Sequence, residues 1–245
     1  MGRAVLVAAA LLASTASALL AASSAVQGPR RVGVETRSSV IDVEAATVDD
    51  EVDDVVAEKK KALLDAIAGT ERGFTRDKDQ AEAVRAAIQS LADARTAPPD
   101  PLKTQNWTLA WTDAPDILGL AGGPLSRLGR IGQEVDATEG TVVNVIEWSP
   151  SPLATLLRKD FADDVVQQRV ITGFTEPTPG DVKLVLKGAG LRPKRVLGKN
   201  VDEKTFDAVG PLSLPFGEFT VLYNDGDLRC VRTGQNFYSV NVRMI

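Results

Sequence analysis

The apolar positions of the chain change period once, near Pro101, and that change divides its folded part in two. From Glu51 onward Val52, Val55, Val56, Leu63 and Ile67 recur at helical spacing, and Gly69 in "IAGTERG" supplies a stop. A second stripe of Ala81, Val84, Ile88 and Leu91 can be capped by Thr75, and it ends in "TAPPDP" (Thr96 to Pro101), where proline removes donors a helix needs. Each stripe is narrow and two such helices bury little by themselves. The pattern therefore predicts an amphipathic pair that lies against a larger body.

That body reads as β. Candidate strands are Trp107–Thr112, Arg130–Ala137, Thr141–Trp148, Asp164–Thr175, Val182–Lys187, Phe216–Tyr223, Asp227–Arg232 and Phe237–Arg243, each rich in β-branched or aromatic residues. Turn chemistry falls between them in "TEG", "PTPGD", "NDGD" and "TGQN". Consecutive strands joined by hairpins predict a closed or nearly closed antiparallel barrel, so the fold class is mainly β with N-terminal helices. In "TVVNVIEW" Val143, Val145 and Glu147 face one way, and Val142, Asn144, Ile146 and Trp148 the other. Both faces are largely apolar, as expected when one lines an oily interior and the other is partly covered by helices.

The start of the chain reads as an address. Arg3 precedes the apolar run "AVLVAAALLA" and the small-residue pattern "STASA", which suits a signal peptide cleaved after Ala18. The run is shorter than the roughly 20 apolar residues a bilayer span takes. The next stretch, "LLAASSAVQGPRRVGV", is free of acids and has the composition of an organelle transit peptide. The two in series suit a plastid reached through the secretory pathway, and a plain secreted protein is the alternative; the lack of a disulfide leans toward the organelle. Seven carboxylates then crowd into Asp42 to Asp54, a density that predicts a solvated linker. The expected organisation is a targeting leader over 1–37, an acidic linker over 38–54, a helical segment over 55–101 and the barrel over 102–245.

Charge and residue usage remove several chemistries. Residues 35–103 hold sixteen acids against ten bases, the remainder of the chain beyond them is near balance at seventeen against fifteen, and only the three arginines of residues 1–34 stand without acids. No segment offers the concentrated basic face that a phosphate backbone needs, so no nucleic-acid partner is expected. The chain has no histidine and one cysteine, Cys230. An internal disulfide, a Cys-rich zinc cluster and any Ser-His or Cys-His pair are thereby excluded.

Carboxylates remain for acid and base work, and Glu134, Asp136 and Glu147 lie on the hairpin that follows the first strand, with nothing in the sequence to bring them together. No phosphate loop or dinucleotide fingerprint is present. Trp107 at the start of the first strand and Arg243 at the end of the last would meet at one end of a closed barrel, where a guanidinium stacks on an indole. Asp227 sits by a tight turn, while Arg229 and Arg232, three apart, face opposite sides of their strand. Turn capping and cross-strand pairing are one reading of these three; an arginine fork on a lipid phosphate or carboxylate is the other. The apolar, Gly- and Pro-containing segment "APDILGLAGGPLSRLG" (114–129) is a lid, a loop that dips into a lipid surface, or core packing.

Four blocks, "KKALLDAIAGTERG", "NWTLAWTDAPDILGL", "PLSRLGRIGQEVDATEGTVVNVIEW" and "PFGEFTVLYNDGDLRCVRTGQNFYSVNVR", resemble, in this order, the plastid lipid-associated proteins, also called fibrillins or plastoglobulins. Matched residue by residue, the resemblance carries over Trp107, Leu118, Gly119, Arg130 to Gln133, Asn144, Leu222, Tyr223, Asp227, Leu228, Arg229, Arg232, Gly234, Phe237 and Arg243. It departs where Thr104, Gln105 and Asn106 stand without the usual glycine, where Gly132 replaces an aromatic, and over Ser149 to Lys204, which match only vaguely.

The resemblance implies a lipocalin-like barrel that associates with plastoglobules or thylakoid membranes and binds or handles hydrophobic metabolites such as quinones, carotenoids or acyl lipids, without established catalysis; no cofactor or metal is expected. A ligand-free structural coat on lipid bodies, and a small enzyme acting on oxidised lipids, are the alternatives. Trp107, Trp111, Gln133, Asn144, Trp148, Tyr223 and Phe237 are then expected to line the barrel, and Asp227, Arg229, Arg232 and Arg243 to serve structure or headgroup contact.

Overall fold

The computed structural model describes residues 45–244 apart from 76, 96–98, 100, 121, 158, 160, 161 and 202–204, with backbone only for 45–51 and 211–213. The leader over 1–37 and the acidic linker as far as residue 44 lie outside the described residues.

Two helices come first. Helix α1 spans Ala45–Ile67, so the helical conformation reaches back through most of the acidic stretch and not only to Glu51. Helix α2 spans Lys78–Asp93, and its N-cap is Asp77, whose side chain accepts from the Gln80 amide. Thr75 does not cap α2: its hydroxyl donates to the Thr70 carbonyl instead. A carboxylate at this position satisfies an orphan amide and also faces the positive end of the helix dipole, which makes Asp77 the better cap. The link between the helices is a short 3-10 turn, Glu71–Gly73. Gly73 takes φ +93°, and a Cβ there would run into the Thr112 carbonyl, so the turn can press this closely on the first strand only with glycine.

Nine strands follow: β1 (Gln105–Thr112), β2 (Ser126–Asp136), β3 (Thr141–Pro150), β4 (Val165–Thr178), β5 (Asp181–Val196), β6 (Lys199–Asn200), β7 (Phe206–Asn224), β8 (Leu228–Thr233) and β9 (Tyr238–Arg243). Short helices α3 (Pro115–Leu118) and α4 (Pro152–Leu157) sit in the β1–β2 and β3–β4 connections. The strand order is β4-β3-β2-β1-β9-β8-β7-β5-β6, every pairing is antiparallel, and β4 also pairs with β5. That last pairing closes eight strands into a barrel and leaves β6 as a short addition to β5. Closure removes the edges that an open sheet would expose.

β5 and β7 are much longer than their apolar runs predict, because β5 carries the polar segment Arg192–Val196 beyond its core-facing part. β8 meets only Phe219–Asn224 of β7, whereas β7 from Phe206 to Pro215 is registered on β5. The barrel is therefore tall on its β3–β4–β5 side and short at β8, β9 and β1. Its turn end, with the β2–β3, β4–β5 and β7–β8 turns, differs from the loop end, which holds α3, α4 and the β5–β6 turn.

Alternation places two separate cores. Trp107, Val135, Val142, Val182, Leu184, Phe219, Val221 and Val231 come from six strands and meet with Leu102 inside the barrel. Outside it, Leu63 of α1 and Val84, Ile88 and Leu91 of α2 pack on Trp111, Tyr223, Leu228, Cys230 and Val240. The four helix side chains are fully buried there. At about 1.5–3 kcal/mol for each large apolar side chain removed from water, this contact makes the helix pair part of the domain.

Candidate functional site

Both walls of the β2–β3 hairpin repeat one sequence of layers on the barrel's inner face. Val135 stands opposite Val142, Gln133 opposite Asn144, and Ile131 opposite Ile146. A polar layer thus crosses the lumen between two apolar ones. Below it, toward the turn end, lie Val135 and Val142 of the inner core. Above it, Ile146, Trp148 and Leu191 are half-buried, while Ile131 and Gln168 are buried.

Arg229 supplies the charge of the polar layer. It is fully buried, and its guanidinium Cζ lies 4.6 Å from the centre of the Trp107 ring. Its Nη2 donates to Gln133 Oε1, and Gln133 Nε2 donates in turn to Asn144 Oδ1 at 2.8 Å. Its cross-strand partners are Asn224 and Asn241, both buried. Nε and Nη1 of Arg229 have no hydrogen-bond partner in the structure. Burial pushes the guanidinium pKa down to about 9, which leaves it protonated at neutral pH. A buried cation held by one amide oxygen and an indole face is short of acceptors, since a desolvated charge needs several.

The guanidinium over Trp107 is thus that of Arg229, not Arg243. Arg243 is the register partner of Trp107, yet its side chain is exposed and pairs with Asp227 at 3.6 Å. It stands on the last residue of β9, where the chain leaves the barrel, whereas Arg229 on β8 projects inward. Turn capping falls to Asp225: its Oδ1 accepts from the amides of Asp227 and Leu228. Arg232 faces away from Arg229, half-buried on the outer side of β8. Opposite faces are what strand alternation requires for two residues three apart.

The remaining expected lining residues divide. Trp148 is on the inner face of β3 above the polar layer, with Nε1 3.3 Å from Gln168 Oε1. Trp111 is not in the lumen: a bulge between Leu109 and Trp111 shifts the alternation of β1 and turns this ring outward under the helices. Tyr223 is turned the same way by the bulge between Val221 and Tyr223. Its hydroxyl donates to Asp225 Oδ2 at 3.0 Å, Arg95 lies over its ring, and burial followed by the Asp225 charge pushes its pKa up. Phe237 lies in the β8–β9 turn, where its amide and carbonyl bond to Thr233.

The candidate acid and base groups are engaged on the outside. Glu134 pairs with Arg169 at 2.9 Å. Asp136 Oδ1 caps the β2–β3 turn through the amides of Thr138 and Glu139. Glu147 Oε1 accepts from Gln167, Lys194 and Arg130; burial opposes its ionisation, but these donors hold its pKa below the usual carboxylate value. Among the described residues no group of three His, Cys, Asp or Glu is placed to hold a metal.

Two cavities flank the helices. One, of about 100 Å³, is lined by Gly73, Thr75, Ala81, Trp111 and Leu118; the other, a shallow groove of about 520 Å³, runs between α1 and α2 past Val55, Lys59, Ala86 and Ser90. Neither is lined by a residue of the polar layer.

The loop end carries a feature that sequence reasoning missed. Leu125, Leu153, Leu156, Leu157, Leu197 and Phe206 are exposed there, Leu156 at 79% and Phe206 at 64%, while the exposed Val209 and Leu214 pair with Gly188 and Leu186 further down the wall. Leu125 is joined to the start of α4 through its carbonyl, which accepts from Ser151 N, and Asp164 accepts from the amides of Leu197 and Gly198. These bonds bring α4 and the β5–β6 turn to one end of the barrel. The run "PLATLL" was the available signal, but its neighbours lack any repeating pattern that would place it on a surface.

Comparison with known proteins shows the family. The family profile PAP_fibrillin matches residues 57–240. Plastoglobulin-1, chloroplastic, of Pisum sativum is 30% identical over 162 residues, covering 63% of this chain and 42% of that protein. The probable plastid-lipid-associated protein 10, chloroplastic, of Arabidopsis thaliana is 30% identical over 145 residues, covering 53% of this chain and 50% of that protein. The chain thus spans about half the length of the curated relatives it matches. No solved structure gives a significant match. The chain belongs to the PAP_fibrillin family.

Proposed function

We propose, with membership of the PAP_fibrillin family as the premise, that this chain is a non-catalytic plastid protein that seats the loop end of its barrel on a lipid body or thylakoid surface. The observation that carries the reading is the exposed apolar rim: Leu125, Leu153, Leu156, Leu157, Leu197 and Phe206, from α4, the start of β7 and the adjoining loops, are all exposed. Contiguous exposed apolar surface on a folded domain usually marks a contact site. From Val182 to Lys199 the chain also carries six bases and no acid, which suits the anionic face of a lipid surface although the whole chain has net charge -5. Among the described residues no helix is long and apolar enough to cross a membrane, and a rim of this kind requires none. Both named relatives are chloroplastic, and neither supports a secreted protein.

Flotation with vesicles of plastid lipid composition tests this. The full chain is expected to float, and Leu156→Glu with Leu157→Glu to remain at the bottom while keeping its circular dichroism; equal flotation of both proteins would remove the rim from the reading.

A second reading, uptake of a hydrophobic metabolite such as a quinone, carotenoid or acyl lipid, is favoured by the half-buried apolar residues above the polar layer. Saturable quenching of Trp107 and Trp148 by such a ligand is the expected result, and its absence with all three classes would leave the surface role alone.

A further inference from the structure

We infer that Arg229 is the headgroup anchor of the barrel, and that the ligand of the upper lumen is a single-chain amphiphile bearing a carboxylate, held head-down on the Arg229–Gln133–Asn144 layer with its tail toward the loop end. The inference rests on the uptake reading above and names the ligand class for it.

Three observations point the same way. The first is the deficit at Arg229: the side chain is fully buried, one nitrogen donates to Gln133, and Nε and Nη1 have no acceptor. The ion pairs of the described residues include none between Arg229 and an Asp or Glu. A protonated guanidinium in an apolar lumen is stabilised best by an oxyanion, because charge-assisted hydrogen bonds gain most where water is excluded. The second is the position of the layer. Ile131 and Ile146 lie directly above Gln133 and Asn144, and Val135 and Val142 directly below, so the amides and the guanidinium form a polar floor under a largely apolar shaft in which Gln168 is bonded to Trp148. From Asn144 to Trp148 that shaft rises about 13 Å, at roughly 3.3 Å per strand residue. The third is partial exposure above the layer: Ile146, Trp148 and Leu191 are half-buried beside the buried Ile131 and Gln168, whereas Val135 and Val142 below it are 2% and 0% exposed. Entry is therefore from the loop end, where the exposed apolar rim would meet the lipid that supplies the ligand.

Gln133 prepares the site. Its oxygen accepts from Arg229 and its amide nitrogen donates to Asn144, which fixes the orientation of the amide and aims the guanidinium across the lumen. Trp107 covers one face of the guanidinium, leaving its edge for the carboxylate.

The test compares ligands that differ only in the headgroup. Dodecanoate, dodecanol and a short-chain quinone are titrated into the full chain and followed by tryptophan fluorescence and by calorimetry. Dodecanoate is expected to bind roughly tenfold to a hundredfold more tightly than dodecanol, the range of one charge-assisted bond in a desolvated site. Arg229→Met should abolish that preference and leave dodecanol binding in place. Gln133→Glu, which sets a carboxylate beside the guanidinium, should abolish it as well and guards against a folding defect in the first variant. Lys61→Gln, which removes an exposed charge on α1, should change nothing. Equal affinity for acid and alcohol, or a preference that survives Gln133→Glu, would overturn the carboxylate anchor, and quinone binding in that case would leave the uptake reading standing. No binding of any of the three would overturn both, with vesicle flotation still reporting the surface role independently.

Discussion

Arg229 and Trp107 meet inside the barrel, guanidinium carbon 4.6 Å from the ring centre, and each residue holds the other in place without a carboxylate between them. The contact itself contributes roughly 0.5–2 kcal/mol, less than the desolvation it must offset. Without ligand, Arg229→Met is therefore expected to leave the fold intact and raise its unfolding free energy by about 1–2 kcal/mol, since an apolar side chain of similar length removes an uncompensated charge. Trp107→Ala should lower it by about 3–5 kcal/mol. Urea denaturation of both variants checks the pair; a fall of more than about 2 kcal/mol in Arg229→Met would make the arginine a structural strut.

The helix pair is expected to be integral to the domain. Leu63 and Ile88 are fully buried against Trp111, Tyr223 and Cys230 on the outer wall. Truncating either to alanine should cost about 2–5 kcal/mol, by lost burial and by the cavity left behind. Denaturation followed by tryptophan fluorescence and by helical circular dichroism should give coincident transitions for the parent and the variants, because helices and barrel share one core.

The structure supplies a reason for glycine at position 132. A Cβ at this position would run into the Trp107 carbonyl and lie 2.9 Å from Arg130 Nη1. Gly132→Ala is expected to push β1 and β2 apart and to destabilise by about 1–3 kcal/mol, the usual range for overpacking. A thermal melt of that single variant decides it, and an unchanged midpoint would show that the hairpin relaxes freely.

Acid should loosen the protein from two places. At Asp225, burial opposes ionisation, but the Lys60 contact and the Leu228 and Asp227 amides outweigh it and hold the carboxyl pKa below its usual value; Glu147 is held down in the same way by Gln167, Arg130 and Lys194. Both groups favour the ionised state more in the fold than in the unfolded chain, so their contribution is present above the unfolded values near pH 4 and is lost as pH falls below them. Urea midpoints measured from pH 7 down to pH 3 should decline through that window, and Asp225→Asn should flatten the decline while lowering stability at pH 7.

Cys230 should be silent in the native state. It is fully buried, and burial pushes the thiol up to about 12. No reaction with a thiol reagent is expected at pH 8 until denaturant is added. Stability should also fall as pH rises past about 8.5, where the unfolded thiol ionises and the folded one does not.

The sequence by itself determined the barrel and the helix pair: period-2 strands separated by turn residues, preceded by two stripes of helical period, admit few other folds, although pairing across the barrel extends β5 and β7 far beyond their apolar runs. Alternation put Asn144, Ile146 and Trp148 on one face of their strand but left open which face turns inward. What it could not determine was the facing of Trp111 and Tyr223, which depends on two bulges with no sequence mark, or the partner of Trp107, which depends on how far β8 and β9 slide past each other when the barrel closes. Arg229 and Arg243 are both plausible partners until that register exists. The open loop end belongs to the same class. Leu156, Phe206 and Val209 read as ordinary apolar residues along the chain, and only the lengths of β5 and β7 relative to β8, settled by pairing across the closed barrel, leave them outside it.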